Sequence, residues 1–245
     1  MNPRKSAQFP TEVKEVLAIF VSFVLCWVTL LLSSATLAGA ASRVLYRMDV
    51  STQPDGDAVA WLTRQGFAFH LRAHDLAPRF AQGRLVLETA TETAGVLVQK
   101  LHVPGVRRLR VRWGVDRYPR GADWANGVYR VPIAVMVSFG DDMMASGSLF
   151  VPDAPYFLSV FLGAHEREGR AYTARYYQRG GRYFCQPCGV PPGQTVVTEF
   201  DLATHFTEQF QQRVLPPVSS VSVQMNTTDT TGGARAFLIT IELLG

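Results

Sequence analysis

The pair of side chains whose spacing is most specific for chemistry is Cys185 and Cys188. A Cys-x-x-Cys pair serves as a redox dithiol, as half of a zinc site or as a small disulfide loop. A redox pair sits at a helix N-terminus, where the helix lowers the thiol pKa. Here Tyr183-Phe184 precede the pair and a Gly-Val-Pro-Pro-Gly run follows it, which reads as a strand leading into a proline-rich loop. In an oxidising compartment that context favours a structural disulfide. Zinc needs two more ligands. His70 and His74 stand four apart and could supply them, but no spacing rule ties them to the cysteines, so neither a metal nor another cofactor is expected.

Acid–base chemistry could draw on Glu88, Glu92, Asp141, Asp142 and Asp201. Hydrolysis of a glycosidic bond needs two carboxyl groups facing each other across the sugar, and sequence does not supply that geometry. Asp141-Asp142 follow an apolar run and most simply cap a turn. There is no Gly-x-Ser-x-Gly elbow, no HExxH and no glycine-rich phosphate loop. A polysaccharide hydrolase is the third reading of this chain, and no catalytic residue is assigned.

Binding has better candidates. Arg108, Arg110 and Arg112 occupy alternate positions of one strand and would form a positive ridge. Such a ridge could hold an anionic glycan, a lipid head group or an acidic partner protein. The competing reading is a solvated sheet face, each arginine paired to a carboxylate on the next strand. Tyr118, Trp124 and Tyr129 lie in or near the loop Asp-Arg-Tyr-Pro-Arg-Gly-Ala-Asp-Trp-Ala-Asn-Gly and are the aromatics expected to be exposed. Exposed aromatics stack on sugars and anchor protein interfaces. The formal charge of +4 is too small an excess to suggest a nucleic-acid partner.

The elements that carry these residues are short strands separated by turn signals. Arg84–Glu88, Val96–Val103 and Arg107–Val115 read as strands, the last with Leu109, Val111, Trp113 and Val115 on one face. Ile133–Phe139 and Tyr156–Leu162 are almost wholly apolar, as in central strands covered on both sides. Ala171–Arg179, Ser220–Met225 and Ala236–Leu243 complete the set, the last with Phe237, Ile239, Ile241 and Leu243 on one face. One helix is expected between Asp201 and Val214, where Ala203, Phe206, Phe210 and Val214 recur at helical spacing before Pro216-Pro217. The fold class this predicts is all-β: an antiparallel β-sandwich or jelly roll with one short helix.

The segments Val111–Asp123, Val131–Phe139 and Val223–Leu243, with a Trp-bearing strand and a Thr-Asp-x-Thr-Gly-x-Ala-Arg turn, resemble an exported bacterial family catalogued as domain of unknown function 3047. The resemblance runs from about Trp61 to the C-terminus. It implies a jelly-roll sandwich of the galactose-binding or carbohydrate-binding type and brings no catalytic residues to positions of this chain.

Location comes from the N-terminus. Residues 1–15 are polar, and from Val16 to Ser42 no residue is charged. About 20 apolar residues suffice to cross a bilayer. Residues 16–40 are therefore expected to be a transmembrane anchor, with cleavage at Ala38-Gly39-Ala40 as the signal-peptide alternative. Arg4, Lys5 and Lys14 favour a cytoplasmic tail over residues 1–15 and export of the remainder. Residues 41–60 are expected to be a linker or first edge, and 61–245 a periplasmic sandwich domain. The leading functional expectation is an inner-membrane-anchored binding protein, an accessory or scaffold subunit of an integral membrane or envelope complex. A periplasmic glycan-binding module is the alternative.

Overall fold

The computed structural model describes residues 42–245. The expected cytoplasmic tail and membrane anchor lie outside the described residues. No helix among the described residues is long and apolar enough to cross a membrane.

Among the described residues fourteen strands run in chain order as β1 (Val44–Asp49), β2 (Gly56–Asp57), β3 (Phe67–Leu71), β4 (Arg79–Ala81), β5 (Arg84–Thr89), β6 (Ala94–Val103) and β7 (Arg108–Arg117). They continue as β8 (Val131–Met144), β9 (Ala154–Gly163), β10 (Ala171–Tyr172), β11 (Gly181–Cys188), β12 (Thr195–Asp201), β13 (Val218–Asn226) and β14 (Ala234–Leu244). They form two sheets. The first has the order β12-β7-β14-β5-β4-β2, with β1 paired to the second half of β14. The second has the order β10-β11-β9-β8-β13-β6-β3. Every pairing is antiparallel except β9 with β11, which run parallel.

The alternation in β7 positions its side chains as expected. Leu109, Val111, Trp113 and Val115 enter the shared core, where they meet Val135 and Val137 of β8, Leu158 and Val160 of β9, and Val221, Val223 and Met225 of β13. Removing these apolar faces from water is the main force joining the sheets. The Trp113 indole N–H donates to Thr198 Oγ1 at 2.9 Å, and that hydroxyl donates onward to the Gln186 carbonyl at 2.9 Å. One buried polar chain thus ties β7, β12 and β11 together.

Several expectations need correction. For residues 41–60 the linker reading gives way to its alternative, a first edge: β1 pairs with β14 from Val44↔Leu244 to Asp49↔Thr240. One helix was expected, but a second, short one spans Val59–Arg64; the expected helix spans Leu202–Phe210 and ends at Gln211, which adopts a left-handed conformation, so Val214 lies beyond it and is exposed. Asp201 caps it by accepting from Thr204 N at 2.9 Å. Its apolar face packs through Phe206 on Phe139 and Tyr156, with ring centroids 5.0 and 5.8 Å apart. Of Ala171–Arg179 only Ala171–Tyr172 is strand. Asp141 and Asp142 do not cap a turn; they are exposed positions within β8, where its register with β9 shifts.

In β14, Ile241 and Leu243 face the core, but Phe237 and Ile239 do not. The register against β7 shifts between Leu238 and Thr240, and that irregularity reverses the facing of every residue before it. Phe237 and Ile239 instead cluster with Val86 on the outer surface of the first sheet, under the Arg84 guanidinium, which sits 4.1 Å from the Phe237 ring centroid.

Cys185 and Cys188 are joined as a disulfide within β11, their Cα atoms 5.5 Å apart. Cys185 is fully buried and faces a second apolar cluster on the outer side of the second sheet. The closed loop is short, so the loss of unfolded-state entropy is at the low end for a disulfide. The double substitution Cys185→Ser/Cys188→Ser is expected to lower the unfolding free energy by about 2 kcal/mol. Equilibrium denaturation of the two forms measures it, and an unchanged midpoint would show that the clip does nothing for stability.

Candidate functional site

A cleft of about 790 Å³ crosses the outer face of the second sheet. Its floor follows from strand alternation. In β13, Val221, Val223 and Met225 point into the core, so Gln224 points outward. In β8, Val135 and Val137 point inward and Met136 and Ser138 outward; in β6, Leu97 points inward and Val96 and Val98 outward. These outward residues line the cleft. Asn226 and Thr228 extend the polar part of the lining where β13 ends.

Segments near both ends of the strands wall this floor. At the start of β8 stand Tyr129 and Arg130, from the loop joining β7 to β8, opposite Asp229 of the turn before β14. Arg130 pairs with the Asp229 carboxylate through Nη2 and donates from Nε to the Thr228 carbonyl at 2.6 Å and from Nη1 to the Tyr129 carbonyl at 3.0 Å. At the far end stand Phe150–Pro152, between β8 and β9, and Ala174–Tyr177, between β10 and β11. Tyr177 binds these two walls together. Its N–H donates to the Ser146 carbonyl at 2.9 Å and its hydroxyl to the Pro152 carbonyl at 2.7 Å. Burial holds the Tyr177 phenol above its usual pKa. His70 and Leu71, at the end of β3, close the remaining side.

Beside the cleft the same sheet face carries the second apolar cluster, with Trp124 at its centre. Trp124 was expected to be exposed, but it is only 4% exposed. The loop that bears it folds back over the sheet, so the indole stacks on Phe161 with centroids 4.8 Å apart and packs against Tyr183 at 4.8 Å and Tyr172 at 5.9 Å. Its N–H donates to the Arg130 carbonyl at 3.0 Å. Trp124 therefore supports the cleft wall more than it offers a free ring. Tyr118 is half-buried, and its hydroxyl donates to the Val190 carbonyl at 2.9 Å. Burial pushes its pKa up to about 12. Of the three aromatics singled out in the sequence, Tyr129 alone is a half-buried ring on the cleft.

The arginine ridge lies on the other sheet. Arg110 donates to Glu199 at 2.8 Å and to Glu242 at 3.1 Å, and Arg108 lies 4.0 Å from Glu199. Arg112 is exposed, between Val197 of β12 and Thr240 of β14. The cross-strand pairing reading thus describes Arg108 and Arg110, and the ridge is not part of the cleft. On the same face Glu88 meets Arg79 at 2.7 Å, Arg117 at 3.4 Å and Arg235 at 3.5 Å. The hydrogen bond from Arg79 is the main reason its carboxyl is held below the usual range.

The zinc reading fails on a bond already made, because both cysteines are consumed in the disulfide. His74 stacks on Phe69 with centroids 4.4 Å apart. Among the described residues no group of three or more His, Cys, Asp or Glu side chains could hold a metal ion.

Gln224, Asn226, Ser138, Arg175 and Tyr176 were not anticipated as site residues. The polar alternation of β13 hinted that one face of a central strand is wet. Nothing in the sequence indicated that loops would wall that face.

No protein-family model and no curated protein matches the chain. Among solved structures, the chain is similar to the carbohydrate recognition domain of Emp46p, at 11% identity over 81% of this chain and 95% of that one, with a TM-score of 0.38. It is similar to the endoglucanase Cel12A from Rhodothermus marinus, at 11% identity over 82% of this chain and 98% of that one, with a TM-score of 0.39. It is also similar to the K2 cleaved adhesin domain of Lys-gingipain, at 12% identity over 81% of this chain and 98% of that one, with a TM-score of 0.36.

Proposed function

We propose that this protein is an exported, membrane-anchored β-sandwich that binds a glycan in the cleft of its second sheet. The same reading keeps the kinship with the exported family of unknown function 3047. The observation that carries the glycan reading is the composition of the cleft. A volume near 790 Å³ is on the scale of cavities that bury small ligands. The hydroxyl and amide groups of Ser138, Gln224 and Asn226 suit sugar hydroxyls, which both donate and accept. The rings of Tyr129 and Tyr176 offer apolar faces to the C–H surface of a pyranose. Among the described lining residues Asp229 is the one carboxylate, and it is already paired with Arg130. Retaining and inverting hydrolysis both need two carboxyl groups, so this lining favours binding over cleavage.

Titration of the full-length chain against a panel of envelope and plant oligosaccharides tests the reading. Tyr129→Ala is expected to weaken the best ligand by about tenfold, equivalent to ~1.4 kcal/mol, with the circular dichroism spectrum unchanged. Absence of binding to every glycan, or full affinity in the Tyr129→Ala variant, would defeat it.

A second reading, docking to a membrane protein complex, is favoured by one observation. Leu149 and Phe150 are 100% and 94% exposed at the tip of the segment joining β8 and β9. Exposed apolar groups of this size serve recognition. Recovery of a defined partner from gently solubilised membranes, lost in Leu149→Ser/Phe150→Ser, is the expected result on that reading.

A further inference from the structure

Resting on the glycan reading, we infer that the ligand is an acidic saccharide whose carboxylate is bound by Arg175. The lining carries Arg130, Arg175 and His70 against a single carboxylate, Asp229. Arg130 is spent on structure: it neutralises Asp229 and donates to the Thr228 and Tyr129 carbonyls. The positive charge facing the cleft is therefore that of Arg175.

Arg175 differs from the ion-paired arginines of the first sheet. There Arg79, Arg110, Arg117 and Arg235 each meet a glutamate. Arg175 is exposed and makes no ion pair among the described residues. Its guanidinium carbon lies 5.7 Å from the centroid of the Tyr176 ring, a cation–π contact that limits its freedom. A guanidinium resting on a ring keeps in-plane N–H groups for a carboxylate, which it meets with two parallel hydrogen bonds. Asp153, a carboxylate near this wall, accepts from Ser146 N at 2.9 Å and so serves the loop.

The segment that presents Arg175 is also held in place. Besides the two Tyr177 bonds to the neighbouring wall, Gly181 N donates to the Tyr177 carbonyl at 2.7 Å. A positioned cation, a stacking ring and neutral polar groups on the floor match a uronic acid. Its ring needs the last two and its C6 carboxylate needs the first.

The experiment uses the full-length chain and hexasaccharides of galacturonate, mannuronate and glucuronate, each beside its carboxyl-reduced neutral counterpart. At least one acidic hexasaccharide is expected to bind about tenfold tighter than its reduced form, on the scale of one hydrogen bond to a charged group. Arg175→Gln should abolish that preference, bringing the acidic form down to the affinity of its reduced counterpart measured in the same variant. Tyr129→Ala should weaken both forms alike. Equal affinity for acidic and reduced sugars, or a preference that survives Arg175→Gln, overturns this inference and leaves the glycan reading standing. Absence of binding to either set overturns both.

Discussion

Trp113→Ala is expected to lower the unfolding free energy by about 4 kcal/mol, within the range measured for truncating a buried large aromatic. The indole is fully buried between the sheets. Its strand neighbours at this level are Val196 of β12 and Leu238 of β14. Truncation leaves a cavity that two hydrogen-bonded sheets cannot easily collapse around. It also removes the donor to Thr198 Oγ1, a buried group whose own proton goes to the Gln186 carbonyl. Trp113→Phe fills most of the space and loses mainly the hydrogen bond, so a cost of about 1–2 kcal/mol is expected. Urea unfolding should show a lower midpoint with the slope preserved. A loss below about 1.5 kcal/mol for the alanine variant would mean that Trp113 is not a keystone of the core.

The second large effect is at Gly233, in the turn before β14. Its φ is +60°, and a Cβ there would lie 2.0 Å from the Thr89 carbonyl oxygen and 2.8 Å from Ala90 Cα. Both obstacles are backbone, and Thr89 is paired with Ala234 at the first rung of β5 on β14. Gly233→Ala must therefore displace the start of that ladder, besides holding alanine in a left-handed conformation, which alone costs about 1 kcal/mol. A total near ~3 kcal/mol is expected. Gly232 is the control. Its φ is +82°, but the nearest atoms to an added Cβ belong to the Arg120 side chain, at 3.2 Å and beyond. That side chain can swing away, so Gly232→Ala should cost only about 1 kcal/mol. Thermal unfolding of the two variants side by side decides it, since equal losses would contradict a backbone clash at Gly233.

Much of the sandwich was legible in the sequence because burial on one face of a strand writes itself as alternation. β7 shows this directly: Leu109, Val111 and Trp113 enter the core, and Arg108, Arg110 and Arg112 stay out. β8 and β9 were legible as central strands because both faces are covered, the outer one by the cluster around Trp124. β1 and β12 were not singled out as strands. Each shows only a short inner row, Tyr46 and Met48 in β1 with Arg47 and Asp49 turned outward, and Val196, Thr198 and Phe200 in β12, where a hydroxyl takes the middle place. The end of β14 followed the pattern and its beginning did not, because a shift of one residue inverts the facing and leaves no mark in composition. Trp124 was misread for a similar reason. A loop rich in Gly, Asp and Arg looks solvated, yet this one carries its indole back onto the sheet. The cleft gathers single residues from several strands and three connecting segments, so no contiguous motif encodes it.

The place of β14 bears on the order in which this protein becomes structured. Residues 234–244 lie at the middle of the first sheet, joined to β7 on one side and to β5 and then β1 on the other. Until that segment is delivered, β1, β5 and β7 have no common neighbour, and the edges they turn toward it lack hydrogen-bond partners. A nascent chain that stops short of Ala234 is left as an open half-sandwich. It holds long unsatisfied edges suited to capture by a chaperone or to self-association. Assembly is thus gated by the arrival of its last strand, and the high share of contacts distant in sequence makes that final closure slow.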